Sequence, residues 1–228
     1  MGIKTKLNNM GITLIELLVA LVIGGIIIAG IYRVFVAQSK AYTVQDQVIE
    51  VQQSVRSAME VLLRDIRMAG FDNDATDLNG DGMTLNDVPT PITPGPNSIT
   101  VMYDCKNVLR TVAYQLIQNP VLNPDGSINL MLMRNQTPPD SPPSTPSGDP
   151  ILENVNALNF TYGIDQDETD KVWEVTAWVD AAGVGASRVI AVRVTLTATP
   201  TPVNPDVQQM VSPRTLNSTV ALRNLCLN

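Results

Sequence analysis

The hydrophobic pattern of the chain changes character twice. Residues 12–36 are apolar on every side, with only Glu16 and Arg33 charged. A helix over that run is ~37 Å long at ~1.5 Å per residue, enough to cross a ~30 Å hydrocarbon core. From Ala41 the apolar residues narrow to one stripe: Val44, Val48, Val51, Val55, Ala58 or Met59, Leu62, Ile66 and Ala69. Steps of three and four residues mark one face of a 3.6-residue helix. Gln45, Asp46, Glu50, Gln52, Gln53, Arg56 and Arg64 form the wet face, and Gly70 supplies a stop. The pattern predicts one helix over 12–69, roughly 85 Å long at the standard rise. Its second half has a face that must dock on something.

The docking partner follows, where the period falls to two. Runs rich in Ile, Val, Leu and Tyr at 98–103, 109–117, 128–134, 155–162, 172–179 and 189–197 predict strands, with a last one over 216–227. In 172–179, Trp173, Val175, Ala177 and Val179 share a face, so Trp173 and Trp178 look to opposite sides. Both belong to the core on the plainer reading; an exposed one would mark a subunit contact. Asn123-Pro124-Asp125-Gly126 is turn chemistry between two strands. Loops are expected at 71–97, at 137–150, which holds six prolines, and at 199–213. The fold class is α+β: a long N-terminal helix on a mostly antiparallel sheet. Its parts are a leader over 1–11, a membrane half over 12–36, an amphipathic half over 37–70 and a sheet domain over 71–228.

Charge changes the picture of the N-terminus. Lys4 and Lys6 precede the apolar run, which places the N-terminus in the cytoplasm; Arg33 and Lys40 on its far side weaken that bias without reversing it. No A-x-A-like site closes the run, so it is not an ordinary secretory signal. Gly24, Gly25 and Gly30 either soften the helix or let another backbone approach closely. Glu16 is the anomaly. A carboxylate at membrane depth is costly and marks a functional site.

Composition then excludes function classes. The 228 residues are 44% hydrophobic with a net charge of −7, and have no histidine. An acidic chain has no electrostatic footprint for nucleic acid. Without histidine the commonest general base and zinc ligand are gone, and no nucleophile or phosphate-loop motif replaces them, so the chain is not expected to be an enzyme.

Asp77-Leu78-Asn79-Gly80-Asp81-Gly82 sets oxygen side chains at alternate positions with glycine at the sixth, the first half of a calcium loop. Asp77, Asn79, Asp81, the Met83 carbonyl and Asp87 form the candidate Ca2+ set; Val88 stands where the loop would carry Glu. An acidic surface turn is the alternative. Asp165-Gln166-Asp167-Glu168-Thr169-Asp170 lacks the turn glycine and reads as a solvated hairpin loop. Cys105 and Cys226 match no metal spacing. They are either buried thiols or, in an oxidising compartment, a disulfide closing a loop that the chain-entropy model values at roughly 4–5 kcal/mol.

Gly11-Ile12-Thr13-Leu14-Ile15-Glu16 followed by an apolar helix resembles the type IV prepilin signature. Further pieces resemble the PilW family of minor pilins: Leu62-Leu63-Arg64-Asp65-Ile66-Arg67-Met68-Ala69-Gly70-Phe71, Glu153-Asn154-Val155, Phe160-Thr161-Tyr162-Gly163, 189–196 and Ser218-Thr219-Val220-Ala221-Leu222-Arg223-Asn224. The resemblance implies a minor type IV pilin, a structural subunit of pilus assembly in a priming or tip complex. A prepilin peptidase would cut between Gly11 and Ile12 and N-methylate Ile12, and Glu16 would pair with a neighbouring subunit's amine. Partners would be other pilins, the peptidase and the inner membrane, with the sheet domain in the periplasm and later in the extracellular pilus. Isoleucine at the mature N-terminus departs from the usual phenylalanine, and the helix lacks the proline common in major pilins. A minor pseudopilin of a type II secretion system shares the signature. A pilin-anchored, calcium-dependent adhesin is the third reading.

Overall fold

In the computed structural model, the described residues are 12–71, 88, 90–105, 108–120, 128–137, 148–167, 174–200 and 211–222. A single helix, α1 (Leu14–Met68), precedes β1 (Ile92–Pro94), β2 (Ser98–Asp104), β3 (Leu109–Gln118), β4 (Leu130–Thr137) and β5 (Asp149–Leu152). Then come β6 (Val155–Asp165), β7 (Ala177–Val179), β8 (Arg188–Ala198) and β9 (Arg214–Ala221). The chain divides into two compact units, one ending at Gln45 and the other starting at Asp46.

The first unit is the N-terminal part of α1. No described residue of it is buried: Leu14, Leu21, Ile28 and Phe35 stand exposed along with the large apolar residues between them. This segment is long and apolar enough to cross a membrane. A helix apolar all round is stable only against lipid or other helices.

The second unit is built on the remainder of α1 and two antiparallel sheets. Burial begins at Gln47 and follows the expected stripe through Val51, Val55, Ala58, Met59, Leu62 and Ile66, while Val44 and Val48 are only half-buried. Gly70 adopts φ of +71°, the left-handed conformation that ends a helix without a Cβ penalty. Its N–H donates to the Met102 carbonyl at 3.0 Å, so the helix end is fastened to β2.

The single expected sheet is two. One has the strand order β1-β2-β3-β4-β5 and the other β7-β6-β8-β9. Their buried faces and α1 share one core, with Val101, Val112, Tyr114 and Leu132 from the first sheet and Leu158, Tyr162, Val192, Val194 and Leu196 from the second. Tyr162 joins the sheets: its hydroxyl accepts from Gly95 N at 3.1 Å and donates to Gly95 O at 3.0 Å.

Several boundaries move. The loop expected over 71–97 contains β1, and the loop expected over 137–150 loses Thr137 to β4 and Asp149 and Pro150 to β5. These strands were hidden by their prolines, Pro94 and Pro150, which sit in the two edge strands of the five-stranded sheet. An edge tolerates the missing N–H. Of the strand expected over 172–179, 174–176 are not strand and 177–179 form β7; of the one over 216–227, residues up to Ala221 belong to β9, and 172–173 and 223–227 lie outside the described residues. Asp165 is buried at the end of β6 and accepts from Asp167 N at 3.1 Å, so that residue is not part of a solvated loop. Gly163 beside it leaves room for Val175 and Ala191, whose methyls would lie 3.0–3.1 Å from any Cβ.

Candidate subunit-assembly site

The site at the head of α1 is assembled by helix capping. Thr13 lies just outside the helix, and its carbonyl accepts the first helical bond, from Leu17 N at 3.2 Å. Its hydroxyl oxygen also faces Glu16 N, at 3.4 Å. Thr13 is therefore the N-cap and Glu16 the third helical residue, the T-x-x-E order of a capping box. That order stood in the sequence, where it was read only as part of the prepilin signature. The cap places the Glu16 carboxylate in the first turn, at the positive end of the helix dipole. Ile12, 74% exposed, sits one turn from it. Glu16 is the one acidic group among exposed Leu14, Ile15, Leu17 and Leu18. The arrangement can receive a cation brought alongside the first turn at the depth of Glu16. Gly11, the other cleavage-site residue, lies outside the described residues.

A second polar constellation lies inside the sheet domain and was not anticipated. Asp65 projects from the buried stripe of α1, its side chain 4% exposed. Arg134 Nε and the Tyr114 hydroxyl both donate to its Oδ2, each at 2.7 Å. Tyr114 on β3 and Arg134 on β4 are direct cross-strand partners, so the sheet register delivers both donors to one carboxylate. Arg134 Nη2 continues to Gln136 Oε1 at 2.7 Å. Burial pushes the Tyr114 hydroxyl well above its usual range, and the Asp65 charge and hydrogen bond add to that. For Arg134, burial opposes the charged form, but the bond and charge of Asp65 outweigh it. The visible signal was a carboxylate one residue from Ile66 within an apolar stripe. Sequence spacing alone names no partner for it. This network holds helix to sheet and contains no nucleophile.

The remaining candidates separate. Asp77, Asn79, Asp81, Met83 and Asp87 lie outside the described residues, as do Cys226, Trp173 and the 123–126 turn. Cys105 is half-buried with a free thiol. Among the described residues no group of three or more acidic, Cys or His side chains is placed to hold a metal. Trp178 is 38% exposed and carries the Arg193 guanidinium 4.2 Å above its ring, a cation–π contact that occupies one face.

Residues 8–32 match the prokaryotic N-terminal methylation motif, spanning the leader end, Gly11, the Thr13 cap and Glu16. Residues 121–224 match the family described as type IV pilus-assembly protein W. Among solved structures, a type IV-like pilin from Thermus thermophilus aligns at 11% identity over 77% of this chain and 97% of its own, with a TM-score of 0.41. No curated protein matches the chain. A methylation motif on a capped apolar helix, followed by a stretch that matches a pilus-assembly family over 121–224, supports a minor type IV pilin of the PilW type.

Proposed function

We propose that a prepilin peptidase cuts the chain between Gly11 and Ile12 and methylates the new amine. Residues 12–36 then hold the subunit in the inner membrane, with the sheet domain in the periplasm, until it joins other minor pilins in a priming or tip complex. The observation that carries this reading is Glu16, a lone acid held by a capped first turn on an otherwise apolar and uncovered surface. In lipid an unpaired carboxylate costs several kcal/mol. A neighbour's N-terminal amine at the same depth gives it a partner. Wrong axial registers leave a charge unpaired, so the contact selects register more than it adds stability. Moving from lipid to a helix bundle exchanges one apolar surrounding for another, which leaves packing and this pair to set the order. The role is structural, with no catalysis by this chain. Deleting the gene tests the assignment: loss of surface pili supports it, whereas intact pili with lost enzyme secretion support the pseudopilin reading.

One observation favours calcium as a further component. Asp104 is 1% exposed and, among the described residues, its Oδ1 has no hydrogen-bond partner, while its N–H donates to the carbonyl of Phe71, which precedes in sequence the run carrying Asp77, Asn79 and Asp81. A Ca2+ ion there would satisfy the orphaned oxygen. Titrating the full chain with Ca2+ tests it; a saturable heat abolished by Asp81→Asn supports the site, and no heat removes it.

A further inference from the structure

Among the described residues, three of the four sheet edges are guarded against strand addition. β1 and β5 are three and four residues long and contain Pro94 and Pro150, and β7 is three residues long. The fourth edge, β9, runs for eight residues without a proline. Short strands and prolines blunt an edge, and a long plain edge is a template for another strand.

Register fixes which of its backbone groups are open. Leu222 N donates to Ile190 O at 2.9 Å, and β9 continues from there in unbroken antiparallel register on β8, Ala221 facing Ala191 and Val220 facing Val192. Bonded and non-bonded pairs alternate in such a ladder. Leu216, Ser218 and Val220 therefore bond to β8, and the N–H and C=O groups of Thr215, Asn217, Thr219 and Ala221 point to the outer edge. Among the described residues no strand pairs with that edge.

A groove accompanies the edge. Met59 and Leu63 of α1 line it with Leu216 of β9, and it continues past Arg56 to Arg214. Arg214 Nε is buried there and, among the described residues, has no hydrogen-bond partner. Arginine thus outweighs the one acid of its walls, Glu60.

We infer that β9 is a strand-acceptor edge for an extended segment of a neighbouring pilin subunit. The incoming backbone pairs with Thr215, Asn217, Thr219 and Ala221. Its inward side chains, apolar with one carboxylate, enter the groove, where the carboxylate accepts from Arg214 Nε and faces Arg56. Only the source of the strand rests on the pilus-assembly reading; the open edge and its acid preference are tested without it.

The test uses the full chain in detergent micelles. Amide hydrogen exchange of the free chain is expected to be at least roughly tenfold faster at Thr215, Asn217, Thr219 and Ala221 than at Leu216 and Ser218. The binding probe is an acetylated octapeptide alternating threonine with valine and one glutamate; its counterpart carries lysine for glutamate. The glutamate peptide should bind and slow those four amides, and the lysine peptide should bind at least roughly tenfold more weakly. Asn217→Pro removes one outward N–H and spares the β8 ladder, so it should weaken binding by a similar factor, while Asn217→Ala should not. Arg56→Glu, outside the sheet, should reverse the preference between the peptides. Slow exchange at the four amides in the free chain, absence of binding, equal binding by Asn217→Pro, or equal binding of both peptides would each overturn the proposal.

Discussion

Asp65 of α1 and Arg134 of β4 meet through one short bond, Nε to Oδ2 at 2.7 Å, with side chains 4% and 18% exposed. The Tyr114 hydroxyl shares the same oxygen. The contact ties the amphipathic part of the helix to the five-stranded sheet through a buried carboxylate. Removing one partner leaves a charge buried, which costs about 3–5 kcal/mol. Asp65→Ala and Arg134→Ala should each lower stability by that order. Asp65→Leu combined with Arg134→Met should lose far less than the sum, because no charge is stranded. Urea midpoints of the four chains in detergent check this, and additive losses would contradict it.

The buried tyrosines make the domain sensitive to alkali. Burial pushes Tyr162 up to about 12, against the opposing hydrogen bond from Gly95, and Tyr103 and Tyr114 are shifted the same way, each first by burial and then by Asp65. A raised pKa means the folded chain holds protons that the unfolded chain releases from about pH 10 upward. Their contribution to stability is complete below that pH and is lost as pH rises toward about 12. Urea midpoints should fall across this window, together with the ultraviolet rise of tyrosinate. Tyr162→Phe should make the fall shallower.

Gly148 has φ of +109° and lies against the Arg134 carbonyl, where any Cβ would collide with backbone. Gly148→Ala should therefore displace Arg134 from Asp65 and cost about 2–3 kcal/mol, combining strain with a loosened buried bond. The corresponding change at Gly185, at φ of +55° but in open space, should cost less. Thermal unfolding of the two variants separates collision from strain.

At the head of the helix, Glu16→Gln preserves shape and removes charge. Loss of about 2 kcal/mol from the inter-subunit contact would lower incorporation into filaments roughly 30-fold. Membrane level and leader removal should remain unchanged. Immunoblots of sheared filaments and membranes measure both; normal incorporation of the variant would remove the register role of Glu16.

The helix was legible from its pattern because burial on one stripe is a local property of 3.6-residue spacing, and Val51, Val55, Leu62 and Ile66 all lie where that stripe put them. The division into two sheets was not legible, since nothing local tells β5 to pair with β4 and β6 to turn to β8. Pro94 and Pro150 argued for loops, and only the edge position of their strands reverses that. Glu16 stood out because a charge in an apolar run is anomalous by itself. Asp65 did not, because its meaning depends on Tyr114 and Arg134, which lie 49 and 69 residues further along the chain.

The central claim is that Glu16 sits near a new amine created by cleavage, and the mature N-terminus tests it most directly. Mass spectrometry of the protein from membranes and filaments should find a chain beginning at N-methylated Ile12, with Met1–Gly11 removed. An intact Met1 in those fractions, or a cut anywhere other than after Gly11, would contradict the account.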